Sequence, residues 1–149
     1  MTRTAECACG AFKVEVEGEP VAVGACSCAQ CQKRTGSVFG VTALFPKDSV
    51  QRVAGSFNTF VRSGDLGTKW SNYFCPTCGS TIFWEGTFIP DLRGVAVGCF
   101  ADPSFPPPQT ALFNENRHSW VKFPTGAMSH ETEPTQTELV ALLDQLRRS

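Results

Sequence analysis

Seven of the eight cysteines in this sequence lie in three short groups whose spacing is typical of metal ligands. The groups are CACG with Cys7 and Cys9, CSCAQC with Cys26, Cys28 and Cys31, and CPTCG with Cys75 and Cys78. Cysteines two residues apart seldom form a disulfide with each other, whereas two thiolates presented by one tight turn suit Zn²⁺. The spacing therefore predicts metal binding by the grouped cysteines, and the isolated Cys99 is predicted to be an unliganded thiol.

The number of ligands in each group indicates two kinds of site. A structural zinc site has four protein ligands, whereas a catalytic site commonly has three and one open position. The four-cysteine set is Cys7, Cys9, Cys75 and Cys78, and it would close a tetrahedral site. The three-cysteine set is Cys26, Cys28 and Cys31, and it would leave one position open. Spacing alone also permits other pairings, for example Cys7 and Cys9 with Cys26 and Cys28.

The ligand type suggests what could enter the open position. Zn²⁺ with three thiolates carries a formal charge of −1, which makes it a weak Lewis acid and a poor activator of water. A soft thiol would still lose its proton on binding to such a metal. The three-cysteine set therefore favours a thiol substrate over hydrolysis.

The remaining composition is that of an ordinary globular chain. The 149 residues are 42% hydrophobic and 18% charged, which is compatible with a single domain over residues 1–149. No apolar run is long enough for a membrane span, and the first residues contain no apolar segment typical of a secretory signal. We therefore expect a cytoplasmic protein whose thiols stay reduced.

Most of the chain has the hydrophobic pattern of β-strands. Phe12, Val14 and Val16 alternate with charged residues, which predicts a half-buried strand, and FGVTALF repeats this alternation. Four more short segments rich in β-branched and aromatic residues are separated by glycines, namely SFNTFVRSG, TKWSNYFC, STIFWEG and RGVAVGCF. The fold class predicted is therefore mainly β.

One long helix is predicted near the C-terminus, over about residues 136–147. Thr135 and Glu138 have the spacing of a capping box. The stripe that follows, at helical spacing, consists of Leu139, Leu142, Leu143 and Leu146. Such a stripe usually packs on the parent domain, so we expect this helix to cover the β-structure.

The order of these motifs resembles the glutathione-dependent formaldehyde-activating enzyme family, which is grouped with centromere protein V. The motifs are C-x-C-G from Cys7, C-x-C-x-x-C-x-K-x-x-G from Cys26, C-x-x-C-G from Cys75, VGCFADP and Trp120. The resemblance implies a β-tent of small antiparallel sheets. It also implies up to two Zn²⁺ per chain, with the four-cysteine set as structural ligands and the three-cysteine set as catalytic ligands. Ser27 and Ala111 stand where many members carry His.

The reaction implied by the resemblance is the addition of glutathione to formaldehyde, which gives S-hydroxymethylglutathione. The chain would then be a carbon–sulfur lyase whose partners are a small thiol and a small aldehyde. Lys33 and Arg34 directly follow the three-cysteine set and could meet the carboxylates of the tripeptide. An alternative for this basic pair is a solvated helical turn. His118 and His130 lack motif support as a general base, and both are expected to be solvated surface residues.

Two other functional classes remain open at this point. One is a non-catalytic zinc module, and the other is a redox sensor whose three-cysteine set releases zinc on oxidation. Charge argues against nucleic acid as a partner, since the formal −1 becomes about −4 when thiolates bind metal in both sets. The sequence also lacks a basic stripe with interleaved aromatic residues.

Overall fold

A computed structural model of the chain describes residues 1–64 and 67–148. Within these residues, eleven strands form two sheets and two α-helices are present. The mainly β fold class predicted from the sequence is therefore confirmed. The strands are β1 (Thr2–Glu6), β2 (Lys13–Glu17), β3 (Ala22–Cys26), β4 (Gly40–Pro46), β5 (Val50–Ala54), β6 (Asn58–Ser63), β7 (Lys69–Phe74), β8 (Thr81–Gly86), β9 (Leu92–Ala96), β10 (Thr110–Leu112) and β11 (Met128–Ser129). The helices are α1 (Ala29–Thr35) and α2 (Gln136–Arg148).

The chain divides into two compact units. The first consists of Met1–Pro20 and Leu44–Phe105, and the second of Val21–Ala43 and Pro106–Ser149. The four-cysteine set lies in the first unit and the three-cysteine set in the second. The expectation of one domain over residues 1–149 stays a prediction.

The first unit contains an antiparallel three-stranded sheet with the order β1-β2-β5. Phe12, Val14 and Val16 are fully buried, as the alternating pattern of this strand predicts. Strands β9-β8-β7-β6 follow one another in the same unit, and the pairs β8–β9, β7–β8 and β6–β7 are antiparallel. Phe83 of β8 is buried, and Tyr73 of β7 stacks on it at a centroid distance of 4.4 Å.

The second unit is built on the strand order β11-β10-β3-β4. Strand β10 runs parallel to both of its neighbours, and Leu112 lies opposite Cys26 in its register with β3. Ala43, in β4, is fully buried. The parallel pairing of β10 and β3 positions the end of β3, where the three-cysteine set begins.

The C-terminal helix α2 begins with the predicted capping box. The Glu138 carboxylate accepts hydrogen bonds from the Thr135 backbone N–H at 2.7 Å and from its hydroxyl at 2.9 Å. In return, the Glu138 backbone N–H donates to the Thr135 hydroxyl oxygen at 3.2 Å. Leu142 and Leu143 are buried, and α2 contacts β3 within the second unit. In the described part of the chain, neither α-helix combines the length and hydrophobicity required to span a bilayer.

Gly55 offers a test of how the first unit is packed. Its φ is +79°, and a Cβ at this position would lie 2.0 Å from the carbonyl oxygen of Ala11. Gly18 has a similar φ of +80° but no atom within 4 Å of such a Cβ. We expect Gly18→Ala to lower the free energy of unfolding by about 1 kcal/mol, the cost of the left-handed backbone alone. Gly55→Ala should cost at least about 3 kcal/mol, because backbone atoms must also move.

Urea unfolding of the two variants, followed by circular dichroism, measures this difference. Equal losses in both variants would contradict the close approach of Gly55 to Ala11.

Candidate metal centres

The four-cysteine set is presented by two hairpin-like turns of the first unit. In the first turn, the Cys7 N–H donates to the Phe12 carbonyl at 3.0 Å, and the Gly10 N–H donates to the Cys7 carbonyl at 2.9 Å. In the second, the corresponding bonds are Cys75 to Ser80 at 3.0 Å and Gly79 to Cys75 at 2.9 Å. The two turns therefore repeat one hydrogen-bond pattern, in which the first cysteine of each pair anchors the turn.

The sulfur atoms of this set are spaced as a tetrahedral metal site requires. Cys7 Sγ lies 3.6 Å from Cys9 Sγ, and Cys9 Sγ lies 3.7 Å from Cys75 Sγ. All four sulfurs, including that of Cys78, lie within 4.8 Å of one another. Zn–S bonds of about 2.3 Å in a tetrahedron put the sulfurs about 3.8 Å apart. The 3.6 and 3.7 Å separations are too long for a disulfide and match the spacing of sulfurs around Zn²⁺.

Hydrogen bonds around this set lower the pKa of Cys7 and Cys78, whereas the pKa of Cys9 is raised. The Ser80 hydroxyl, 3.3 Å from Cys78 Sγ, lowers the pKa of Cys78 to about 5. Burial raises the pKa of Cys7, but the Phe12 N–H at 3.2 Å and the neighbouring thiols bring it below its usual value. The Ala11 backbone N–H lowers the pKa of Cys9, while the neighbouring Cys7 raises it to a net value of about 11. Ser80 also accepts a hydrogen bond from the Ala8 N–H at 3.1 Å, so one hydroxyl joins both turns.

The three-cysteine set is positioned where β3 passes into α1 in the second unit. Cys26 is the last residue of β3, Cys28 is the N-cap of α1, and Cys31 lies in the first turn of that helix. The sulfur of Cys28 accepts the Cys31 N–H at 3.3 Å, so it takes the place of the usual capping oxygen. The C-x-C-x-x-C spacing is thus the spacing of a strand end, a helix cap and a first helical turn.

The three sulfurs also converge, since all lie within 4.8 Å of one another. Hydrogen bonds from Cys26 and then Cys31 lower the pKa of Cys28 to about 2. The same hydrogen bond with Cys28 raises the pKa of Cys26. The pKa of Cys31 is lowered by Cys26 but raised more by Cys28 and by burial, so its net shift is upward. Three close thiols cannot all ionise unless a cation compensates their charge. A bound metal ion would supply that positive charge.

The basic residues Lys33 and Arg34 differ in their placement on α1. Lys33 is exposed, and Arg34 is half-buried. The positive charge of Arg34 lowers the pKa of Cys31, and its guanidinium lies 3.0 Å from where a Cβ on Gly40 would be. The structure therefore brings Arg34 to the three-cysteine set and leaves Lys33 on the exposed side of the helix.

Gln32 is a residue of this site that the sequence analysis did not identify. Its side-chain amide donates to the Ser27 carbonyl at 2.8 Å and to the Asn116 carbonyl at 3.4 Å. The Ser27 N–H donates to the Leu112 carbonyl at 3.1 Å. Hydrogen bonds therefore hold both the N–H and the carbonyl of Ser27, which lies between Cys26 and Cys28. Gln32 belongs to no recognisable motif, so the sequence did not indicate this role.

Neither cysteine set includes His118, Ala111 or Cys99, which the sequence analysis also singled out. The side chain of His118 is exposed and packs edge-on against Trp120, with centroids 6.1 Å apart. Ala111 is buried in β10, opposite Ala25, and its carbonyl accepts the His130 N–H at 2.8 Å. Cys99 lies outside both sets, and its sulfur donates to the Thr81 carbonyl at 3.5 Å. Position 111 thus contributes only backbone groups and a methyl to the second unit.

Comparison with known proteins gives the family of this chain. No curated protein matches the sequence. The crystal structure of a Rhodobacter sphaeroides protein is similar, with a TM-score of 0.53 and 25% sequence identity over 67% of this chain and 91% of that one. The profile of the family described as "Glutathione-dependent formaldehyde-activating enzyme" matches residues 2–116. With both cysteine sets inside the matched residues, this chain belongs to the glutathione-dependent formaldehyde-activating enzyme family.

Proposed function

We propose that this protein is a zinc-dependent carbon–sulfur lyase resembling S-(hydroxymethyl)glutathione synthase, and that it adds a thiol such as glutathione to formaldehyde or another small aldehyde. The observation that carries the proposal is the difference in donor number between the two sets. Four sulfurs converge in the first unit and three in the second. Four-coordinate Zn²⁺ would be saturated by the first set and would accept one exogenous ligand at the second. Family membership supports glutathione and formaldehyde as the substrates.

The proposed reaction requires few groups from the protein. The S–H bond of the thiol breaks, a C–S bond forms at the carbonyl carbon, and the carbonyl oxygen gains a proton. A metal ion held by Cys26, Cys28 and Cys31 would lower the pKa of the incoming thiol. Since the proton lost from sulfur balances the proton gained by oxygen, no redox partner is needed. The buried Ala111 supplies no proton carrier at its position, so proton transfer would use solvent.

The rest of the site would contribute by orientation. The Gln32 amide holds the backbone carbonyl of Ser27, which lies between two of the three sulfur donors. Holding reacting groups in one geometry removes much of the entropic cost of a reaction between two molecules. We propose Lys33 and Arg34 as the groups that bind the carboxylates of the tripeptide. The support for Arg34 is the stronger, because its charge acts on Cys31.

The site also favours a reducing compartment, and we propose the cytoplasm. The eight cysteines all lie within the described residues and form no disulfide there, and the grouped ones can bind metal only as thiolates.

Substitution of single cysteines should separate folding from function. Cys75 is buried, so Cys75→Ser should remove a zinc ligand and cost much of the stability that the four-cysteine set provides, on the order of several kcal/mol. Cys28→Ser keeps an oxygen that can cap α1, since serine is a preferred N-cap residue. We expect this variant to lose one zinc per chain by elemental analysis and less of its thermal stability. Equal, severe losses of stability would mean that both sets are structural.

Thiol binding at the three-cysteine set can be tested with cobalt. The visible spectrum of Co²⁺ reports sulfur ligation, so titration of the cobalt-substituted protein with glutathione should change it. S-methylglutathione has no thiol proton to lose and is a weaker ligand, and it should leave the spectrum unchanged. The change should be absent in Cys28→Ser and retained in Cys99→Ser, the matched control outside both sets. The same response to both compounds would exclude an open site that selects thiols.

Carboxylate recognition should depend on Arg34 more than on Lys33. Loss of a charge-assisted hydrogen bond typically lowers affinity about tenfold or more. We therefore expect Arg34→Gln to raise KM for glutathione about tenfold and Lys33→Gln to change it less. Exchange NMR between free formaldehyde and its S-hydroxymethyl adduct measures the rate, with the uncatalysed reaction subtracted.

The outcome of this assay also separates the proposed lyase from the other two classes. Wild-type protein with no rate above the uncatalysed reaction would refute the lyase. If peroxide then released zinc from the three-cysteine set, the redox sensor would be favoured. If KM for glutathione is unchanged in both Arg34→Gln and Lys33→Gln, this basic pair does not bind the carboxylates.

A further inference from the structure

A cleft lies within the first unit, and its lining includes no residue of either cysteine set. Its volume is about 270 Å³, and its walls come from β2, β5, β7, β8 and β9, with the segments that flank β5. This volume is slightly below the roughly 300–1,000 Å³ typical of pockets for drug-sized ligands. The cleft therefore suits a ligand that consists of one ring with a small substituent.

One side of the cleft is aromatic. Tyr73 and Phe83 stack at a centroid distance of 4.4 Å, and their planes differ by 15°. Phe57 packs edge-on against Tyr73 at 5.3 Å and is 37% exposed. An exposed ring at the edge of a stacked pair offers a flat apolar surface to a planar ligand.

The cleft also has basic lining residues. Lys47, Arg52 and Arg93 line it together with one carboxylate, Glu85, so the lining residues carry a net charge of +2. Burial raises the pKa of Glu85, but the hydrogen bond from Arg93 keeps it below its usual value, and the carboxylate stays ionised. The basic excess therefore remains after the internal ion pair is counted.

The basic groups are held in different ways. Arg93 is fixed by its bonds to the Glu85 carboxylate at 2.6 Å and to the Val50 carbonyl at 2.7 Å. Lys47 approaches Glu85 only at 3.6 Å, and its side chain is 45% exposed. Arg52 donates to the Gly55 carbonyl at 2.6 Å, and its guanidinium lies 5.9 Å from the centroid of Phe57. Arg52 therefore lies close to the exposed ring of Phe57, and Lys47 lines the same cleft beside Glu85.

We propose that this cleft binds a small planar organic anion, an aromatic or conjugated monocarboxylate. Its ring would lie against Phe57, and its carboxylate would meet Lys47 and Arg52. A carboxylate accepts charge-assisted hydrogen bonds from both kinds of cation, and the apolar wall would favour a ring over a hydrated inorganic anion. The site is independent of the cysteine sets and of the lyase proposed above.

Benzoate is the probe for the test, because it combines one ring with one carboxylate. The full-length, zinc-loaded protein is titrated and followed by amide chemical shifts in two-dimensional NMR. We expect saturable shifts at Val50, Arg52 and Phe57. Benzamide, which has the same shape without charge, and acetate, which has the charge without a ring, should each bind at least about tenfold more weakly.

Variants locate the binding. Lys47→Gln should weaken benzoate binding about tenfold, and Phe57→Leu should weaken it through loss of the ring surface. Arg62→Gln is the matched control, since Arg62 lies over Trp70 outside the cleft. Thermal melts identify variants that have lost the fold, and the two cleft variants provide independent readouts.

Three results would overturn the proposal. The first is equal binding of benzoate and benzamide, which would mean that the basic residues do not contribute to the affinity for the anion. The second is an equal loss in Arg62→Gln, which would indicate a general charge effect. The third is a set of shifts confined to the neighbourhood of Cys26, Cys28 and Cys31, which would assign benzoate to the metal.

Discussion

The central constraint on the first unit is the repulsion between its cysteine sulfurs when they are ionised. The Cys9 sulfur lies 3.6 Å from that of Cys7 and 3.7 Å from that of Cys75, and Cys7 and Cys75 are buried. Two thiolates at about 4 Å repel by roughly 4 kcal/mol at an effective dielectric constant of 20. Four such groups are stable together only around a cation, and Zn²⁺ is the cation that their geometry fits. Because Cys9 and Cys75 are 66 residues apart, the metal would join turns that local interactions alone cannot bring together.

The second unit solves a different problem with the same side chain. Its three sulfurs come from one continuous stretch, so no long loop has to close to assemble them. Cys28 serves as a helix cap as well as a candidate ligand, and Gln32 holds the backbone beside it. Local secondary structure therefore provides an arrangement that the first unit obtains only from distant turns. The structural role proposed for the four-cysteine set and the catalytic role proposed for the three-cysteine set would follow from this difference.

The sequence predicted the features that depend on local spacing. The buried positions Phe12, Val14 and Val16 followed from alternation, and the Thr135–Glu138 capping box followed from a three-residue interval. The grouping of the cysteines into four and three was one of several pairings until coordinates brought the sulfurs together.

Features that depend on tertiary pairing could not be predicted in this way. Strand β3, with the sequence AVGAC, shows no alternation because both of its faces are largely buried. Strand β10 has only three residues and is defined by its parallel neighbours. Arg34 of α1 lies near Gly40 of β4, and the basic cleft collects residues from five strands. Contacts between residues that are distant in the sequence leave no local pattern from which they could be predicted.

The placement of the two cysteine sets in different compact units has an evolutionary consequence. On the roles proposed for the two sets, selection for a folded chain would act on the turns around Cys7 and Cys75. Selection for chemistry would act on the junction of β3 and α1. A descendant that replaced Cys28 by serine would keep its helix cap and the four-sulfur cluster of the other unit. Duplicated genes for such a chain could thus exchange the reactive junction for other ligands while inheriting an intact scaffold.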